Sequence, residues 1–281
     1  MTASLREIDG LATFAPAVRA WRQGNLDHTV ALLKLEAASS VLELRATAWL
    51  LLGDVHAVLG ELEDALLFLR LAAGCGHPEI APIAACLLGH QLAEGGDVDG
   101  AEKAYQHAIE SGHRVHAARA RCYLAELYSN LGEGDSALAV LGVAEAMPVE
   151  IRGWAVALLG DMRFSRGDLD GACAAYWQVA ETDPGDPGDR ATVMLAALIE
   201  LRHGVRHEQE KFAELERSTV VSAERSAYVR ATIERWHGAP DGSRVTAAVQ
   251  IDPHWLAYGE AAVRFYRERN SGAGEAGPAG S

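Results

Sequence analysis

The chain has 281 residues, of which 49% are hydrophobic and 23% are charged, and its formal net charge is −14. This composition can build an apolar core, and no run approaches the roughly 18 apolar residues that a membrane-spanning helix needs. Net acidity also disfavours binding to a phosphate backbone, which requires clustered Lys and Arg. We therefore expect no membrane span and no nucleic-acid partner.

The two ends of the sequence have a different character from the rest. The start, MTASLREIDG, lacks a basic segment followed by an apolar one, which predicts a cytoplasmic protein. The tail NSGAGEAGPAGS, residues 270–281, has few bulky apolar residues and is predicted to be disordered.

A repeat with a fixed period runs along the chain. The stretch GELEDALLFLRLAAGCGH begins at Gly60, and GDVDGAEKAYQHAIESGH begins at Gly96, an offset of 96 − 60 = 36 residues. Both copies have Ala at the sixth position and end on Gly-His. The glycine that opens them recurs at Gly24, Gly60, Gly96, Gly132, Gly167 and Gly204. A regular period of this length indicates a repeat protein.

Each period predicts two amphipathic helices, because apolar residues recur at three- and four-residue spacing twice between glycines. The glycine ends the first helix, and an Asp or Glu near it begins the second. Small residues occupy one column where helices approach closely: Ala17, Gly53, Gly89, Ala125, Gly160, Ala197 and Ala231. Twelve residues later stand Ala65, Ala101, Ala137 and Ala172. Large residues that fill the adjoining gap follow at Leu69, Tyr105, Leu141 and Tyr176.

These columns resemble the tetratricopeptide repeat (TPR) family, most clearly in Trp49, Leu52, Gly53, Gly60, Ala65, Leu69 and Ala72. The 36-residue step and the Gly-His endings resemble the related Sel1-like repeat. The resemblance implies an all-α, right-handed superhelical solenoid of antiparallel helix pairs. We expect one domain over residues 1–269. Its best-formed repeats span about 46–185, with degenerate repeats at about 10–45 and 186–237. The capping region is 238–269, with its final helix at about 254–269.

The resemblance also implies that the first helix of each pair lines a concave groove that binds proteins or peptides. The column just after the small residue then faces inward, with Asp54, His90, Glu126 and Asp161 in successive repeats. Other residues that the family pattern turns inward are Leu50, Cys86, Cys122, Arg119, Tyr123, Trp154 and Phe164. Two interpretations stay open. The acids form a stripe on an apolar floor that binds a basic partner, or the column is solvent-facing and takes polar residues in any such helix.

One specialised function is disfavoured by the groove residues. Repeats that clamp the carboxylate terminus of chaperones carry Lys and Asn where this chain has Leu50 and Asp54. An acidic stripe would repel such a terminus.

Catalytic motifs are missing from the sequence: there is no G-x-S-x-G, no phosphate loop and no H-E-x-x-H. His203 and His207 are separated by the turn glycine Gly204, which removes the geometry of a zinc pair. His77 and His113 follow helix ends, where we expect them to contact terminal carbonyls. The sequence therefore predicts no metal, no cofactor and no enzymatic activity.

The four cysteines, Cys75, Cys86, Cys122 and Cys173, are expected to be reduced. Cys86 and Cys122 stand in the same column of adjacent repeats. First helices roughly 8–10 Å apart exceed the Cα separation that a disulfide allows.

Two functions follow from these observations. The first is a non-catalytic scaffold that binds a protein or peptide, including a basic partner or a second copy of itself. The alternative is an accessory enzyme or sensor that holds a small cationic ligand or metal near Asp54, His90 and Glu126. His90 then gives a pH-sensitive contact or half of a metal site; in the scaffold it only hydrogen-bonds a partner.

Overall fold

The computed structural model describes residues 12–183 and 185–201, together with residues 261 and 264. Within these ranges the regular structure is entirely helical, with eleven α-helices, two short 3₁₀ segments and no strand. The all-α prediction is confirmed. The predicted capping helix lies outside the described residues except for Ala261 and Arg264, which are both helical. The tail, Gly204 and the last small residue, Ala231, also lie outside them. The chain divides between Val140 and Leu141 into two compact units.

Unit 1 consists of consecutive helices that pack in pairs. They are α1 (Ala15–Arg22), α2 (Leu26–Ala37), α3 (Leu42–Leu59), α4 (Leu62–Ala73), α5 (Ile80–Glu94), α6 (Val98–Glu110) and α7 (His116–Asn130), followed by α8 (Gly134–Leu141), which ends at the boundary. Each helix from α1 to α6 contacts the next one along the chain. In addition, α3 contacts α5 and α5 contacts α7. The first helices of successive pairs therefore lie side by side.

Unit 2 repeats the same arrangement. After the 3₁₀ segment Ala144–Ala146 come α9 (Val149–Ser165), α10 (Leu169–Thr182) and α11 (Asp186–Leu201). Helix α9 packs against α10, and α11 packs against both. Of the degenerate repeat expected at about 186–237, the described residues include only α11, and the repeat assignment stays a prediction.

The glycine column ends the first helix of each pair, as predicted. These glycines have φ between +73° and +82°, a left-handed conformation that a side chain would strain: Gly24, Gly60, Gly96, Gly132 and Gly167. The next residue begins the second helix in three repeats. The side chains of Asn25, Asp97 and Asp168 each accept a hydrogen bond from the backbone N–H three residues later.

The small-residue column lies where the two helices of a pair come closest. A Cβ added to Gly89 would lie only 2.5 Å from Cε1 of Tyr105. The same clash arises between Gly53 and Leu69 and between Gly160 and Tyr176. The second column is fully buried at Ala65, Ala101, Ala137 and Ala172. The predicted register of these helix pairs is therefore confirmed.

The Gly-His endings have a different role from the expected one. Nδ1 of His77 accepts from the backbone N–H groups of Glu79 and Ile80, both at 3.3 Å. Nδ1 of His113 likewise accepts from the N–H groups of Val115 and His116 at 3.3 and 3.1 Å. These rings satisfy orphan donors at the start of the next helix, so the prediction that they contact terminal carbonyls is wrong.

The apolar core of unit 1 lies between the paired helices. One cluster is centred on buried residues of α4 to α7, including Leu69, Tyr105 and Leu124. A second cluster contains Phe14, Leu33 and buried residues of α3. Within the described ranges, no helix combines the length and apolar character needed to cross a membrane.

Candidate functional site

The first helices of unit 1 present a polar and aromatic surface above this core. Asp54 lies on α3, His90 on α5, and Arg119, Tyr123 and Glu126 on α7. We call these five residues the first-helix face. Asp54, Arg119, Tyr123 and Glu126 are half-buried, and the His90 side chain is 46% exposed.

Aromatic rings link this face to the core. The ring centroids of His90 and Tyr123 are 5.8 Å apart, and those of Tyr123 and the buried Tyr105 are 5.7 Å apart. Burial, more than any neighbouring charge, raises the pKa of Tyr123 above its usual range. Its hydroxyl is therefore neutral and can donate a hydrogen bond at physiological pH. Tyr123 thus offers a fixed apolar ring with a polar tip, a common anchor in protein interfaces.

The charges at this face are mostly negative. Asp54 and Glu126 carry carboxylates, and a third belongs to Glu94, whose Oε1 is 3.5 Å from Nε2 of His90. Arg119 supplies the one guanidinium among these residues, and its charge opposes the burial effect that raises the pKa of Tyr123. With three carboxylates against one guanidinium, the acidic groups outnumber the guanidinium groups at this face.

The column that contains Leu50, Cys86 and Cys122 does not line a surface. All three side chains are at most 2% exposed. The Cys86 thiol donates to the backbone carbonyl of His116 at 3.3 Å, and burial raises its pKa to about 12. Burial also raises the pKa of Cys122. These residues are core, and the expectation that they face the groove is corrected. All four cysteines are free, as predicted.

In unit 2 the predicted acidic position is buried. Asp161 is 9% exposed, forms an ion pair with Arg190 and accepts a hydrogen bond from the Tyr176 hydroxyl at 2.7 Å. Burial raises its pKa, while Arg190 and Tyr176 act in the opposite direction. Asp161 joins three helices through these contacts, and the expectation that it belongs to the acidic stripe of a partner-binding groove is corrected. Phe164 is buried, and Trp154 is half-buried on α9.

Unit 2 also contains a cavity of about 360 Å³ between the start of α9 and the end of α10. Its lining mixes apolar residues with Glu150, Arg152 and Asp183. Because acidic and basic side chains both line the cavity, the lining does not favour a positively or a negatively charged ligand.

The residues of the alternative metal hypothesis do not converge. Among the described residues, one group of three His, Cys, Asp or Glu side chains brings its ligand atoms within 4.8 Å of one another, and it is His56, Glu61 and Asp64. Asp54, His90 and Glu126 form no such group. The sequence interpretation missed His56, because its partners lie beyond a turn glycine. The available signal was a histidine in the last turn of one helix with acids at the start of the next.

Consecutive helix pairs with left-handed turn glycines at intervals of 35 or 36 residues define an α-helical repeat protein. The comparisons specify the family. A model of a tetratricopeptide repeat-like domain matches residues 67–198, and a tetratricopeptide repeat model matches residues 14–79. Together they cover residues 14–198, more than half of the chain. The chain belongs to the tetratricopeptide repeat family, which confirms the resemblance; its Sel1-like character stays a prediction.

Solved structures support the same fold. A tetratricopeptide repeat protein from Parabacteroides merdae ATCC 43184 is 15% identical with a TM-score of 0.52, over 94% of this chain and 100% of that one. The apo form of RapI is 12% identical with a TM-score of 0.54, over 91% and 98% of the two chains. No curated protein matches the sequence. These likenesses concern the fold alone.

Proposed function

We propose that the protein is a non-catalytic interaction scaffold that binds a protein or peptide along the first-helix face of unit 1. The observation that carries the proposal is the composition of that face. It combines a half-exposed His90–Tyr123 ring pair with carboxylates on neighbouring helices, over a packed core. Repeat proteins of this class commonly use such surfaces for partners.

The partner in this proposal is basic. An apolar or aromatic side chain of the partner packs against the rings of Tyr123 and His90, and a Lys or Arg side chain lies near Asp54 or Glu126. The aromatic contact supplies most of the affinity, because a buried aromatic anchor dominates interface energetics. The carboxylates select the charge of the partner and raise the association rate.

We place the protein in the cytoplasm and assign it no cofactor for this activity. A second copy of the chain is another candidate partner, and sedimentation of the wild-type protein beside Asp54→Lys with Glu126→Lys tests whether these carboxylates hold it.

The test is a peptide selection against immobilised full-length protein, followed by binding measurements with the selected peptides. The site variant is Asp54→Lys with Glu126→Lys. The control is Glu63→Lys with Asp99→Lys, which reverses two exposed acids near the starts of second helices.

The site variant should weaken binding by at least about 1–2 kcal/mol. Even a fully exposed ion pair contributes roughly 0.2–1 kcal/mol, two such pairs are lost, and the reversed charges add repulsion. Wild-type binding should also weaken as salt rises. Equal affinities for the site variant and the control would place the binding surface elsewhere.

A further inference from the structure

The turn between α3 and α4 gathers three possible metal ligands. His56 lies in the last turn of α3, Glu61 immediately precedes α4, and Asp64 lies in the first turn of α4. Nδ1 of His56 is 2.5 Å from Oε2 of Glu61 and 4.0 Å from Oδ2 of Asp64. A buried imidazole and two carboxylates therefore meet at one point on the surface of unit 1.

The His56 ring is fixed in place before any ion binds. Its side chain is 5% exposed, and the ring stacks on Phe68 with centroids 5.5 Å apart and planes 10° apart. Its Nε2 atom is buried and has no hydrogen-bond partner among the described residues. The polar contacts of the ring are thus confined to the Nδ1 edge, which points at the two carboxylates.

The two carboxylates at this edge can accept more hydrogen bonds than the single Nδ1 atom of the imidazole can donate. The ring has one Nδ1 atom for two carboxylates, so it can donate an Nδ1–H to only one of them at a time. When an ion binds, Nδ1 offers its lone pair to the ion and the ring proton lies on Nε2. We propose that His56, Glu61 and Asp64 form a binding site for one divalent transition-metal ion, such as Zn²⁺. Imidazole nitrogen combined with carboxylate oxygen suits Zn²⁺ and its neighbours better than Mg²⁺ or Ca²⁺, which prefer oxygen ligands alone.

The distances fit such an ion after small movements. Tetrahedral zinc with bonds of about 2.0–2.2 Å holds its ligand atoms about 3.4 Å apart. The separations of 2.5 and 4.0 Å lie on either side of that value. The Glu61 and Asp64 side chains are 53% and 57% exposed, so each carboxylate can shift by the required fraction of an ångström. Water completes the coordination from the solvent side.

One electrostatic effect opposes the site. The N-terminus of α4 carries a partial charge of about +0.5, which repels a cation. Two full negative charges on Glu61 and Asp64 outweigh it. A bound ion would tie the end of α3 to the start of α4, so that metal should also raise the melting temperature of the protein.

The test uses the full-length protein, without an affinity tag and after treatment with a chelator. Calorimetric titration with Zn²⁺ should show one ion per chain, and Co²⁺ should give the visible absorption of a low-symmetry, four-coordinate centre. The NMR signals of the His56 ring should broaden on addition of Co²⁺.

The site variant is Glu61→Gln with Asp64→Asn, which keeps the shape of both exposed side chains. It should bind Zn²⁺ at least about tenfold more weakly, because loss of ligands exceeds the effect of losing outer-sphere partners. The control, Glu63→Gln with Asp99→Asn, removes two carboxylates at other exposed positions and should bind as wild type does.

Two results would overturn the proposal. If no ion binds to the wild-type protein, the cluster is a His56–Glu61 hydrogen bond with a neighbouring acid and nothing more. If the ion binds equally well to the site variant and the control, it is held by other residues.

Discussion

The close approach of α5 and α6 gives a sharp prediction for Gly89→Ala. The new Cβ would lie 2.5 Å from Cε1 and 2.6 Å from Cδ1 of Tyr105, about 1 Å inside the contact distance of carbon atoms. Tyr105 is buried in the core cluster, so its ring cannot move aside freely. Overpacking of this kind costs about 1–3 kcal/mol, whereas Ala in place of Gly stabilises a helix by about 1 kcal/mol. We expect a net loss of about 2 kcal/mol, because the overlap is large.

A second substitution tests whether the loss comes from this contact. The sequence combines Leu69 with Gly53 and Leu141 with Ala125, so a leucine is compatible with either small residue at this spacing. Gly89→Ala with Tyr105→Leu should therefore be more stable than the sum of the two single changes, by about 1 kcal/mol or more. Urea unfolding followed by circular dichroism gives all three values.

The opposite outcome would refute the reasoning. If Gly89→Ala raises the stability by about 1 kcal/mol, as helix propensity alone predicts, no tight contact exists at this position. Additive effects in the double variant would lead to the same conclusion. The register of the helix pairs would then be wrong.

Three further outcomes follow from buried side chains. Ala101→Leu adds bulk to a fully buried site and should cost about 1–3 kcal/mol; an unchanged melting curve would contradict its placement. Burial lowers the pKa of His116 to about 4 from an ordinary 6.5, so the unfolded chain takes up the proton first. Stability should fall as pH drops from about 6.5 to 4, and His116→Leu should reduce that slope in urea midpoints measured across the range. Arg190→Met removes the partner of the buried Asp161 and should destabilise unit 2 by about 3–5 kcal/mol; adding Asp161→Leu should recover part of the loss, and no recovery would show that the pair is not coupled.

The repeat architecture was predictable because it depends on local sequence. A glycine with φ near +76°, as at Gly60, and a capping side chain, as at Asp97, are needed wherever two helices join, so they recur with the period. The pairing of Gly89 with Tyr105 also follows from a fixed spacing within one helix pair. These features do not depend on distant parts of the chain.

The chemistry of individual side chains was less predictable, because neighbouring helix pairs determine it. Asp161 has the same repeat position as Asp54 but lies beside Arg190, a residue of the following pair. The period alone cannot distinguish these two acids. From the sequence, the His113 ring could contact either the end of α6 or the start of α7. In the structure it contacts the start of α7, after a turn in which Gly112 has a φ of +67°.

The central claim is that partners bind the first-helix face of unit 1, and side-chain footprinting of a complex tests it most directly. Full-length protein is labelled with hydroxyl radicals in the absence and in the presence of a selected peptide, and modification is read residue by residue. The claim predicts protection of His90 and Tyr123 by the bound peptide. It also predicts unchanged labelling at Leu67 and Leu71, which are 50% and 40% exposed on the second helix α4. Protection of Leu67 and Leu71 with unchanged labelling of His90 and Tyr123 would contradict it.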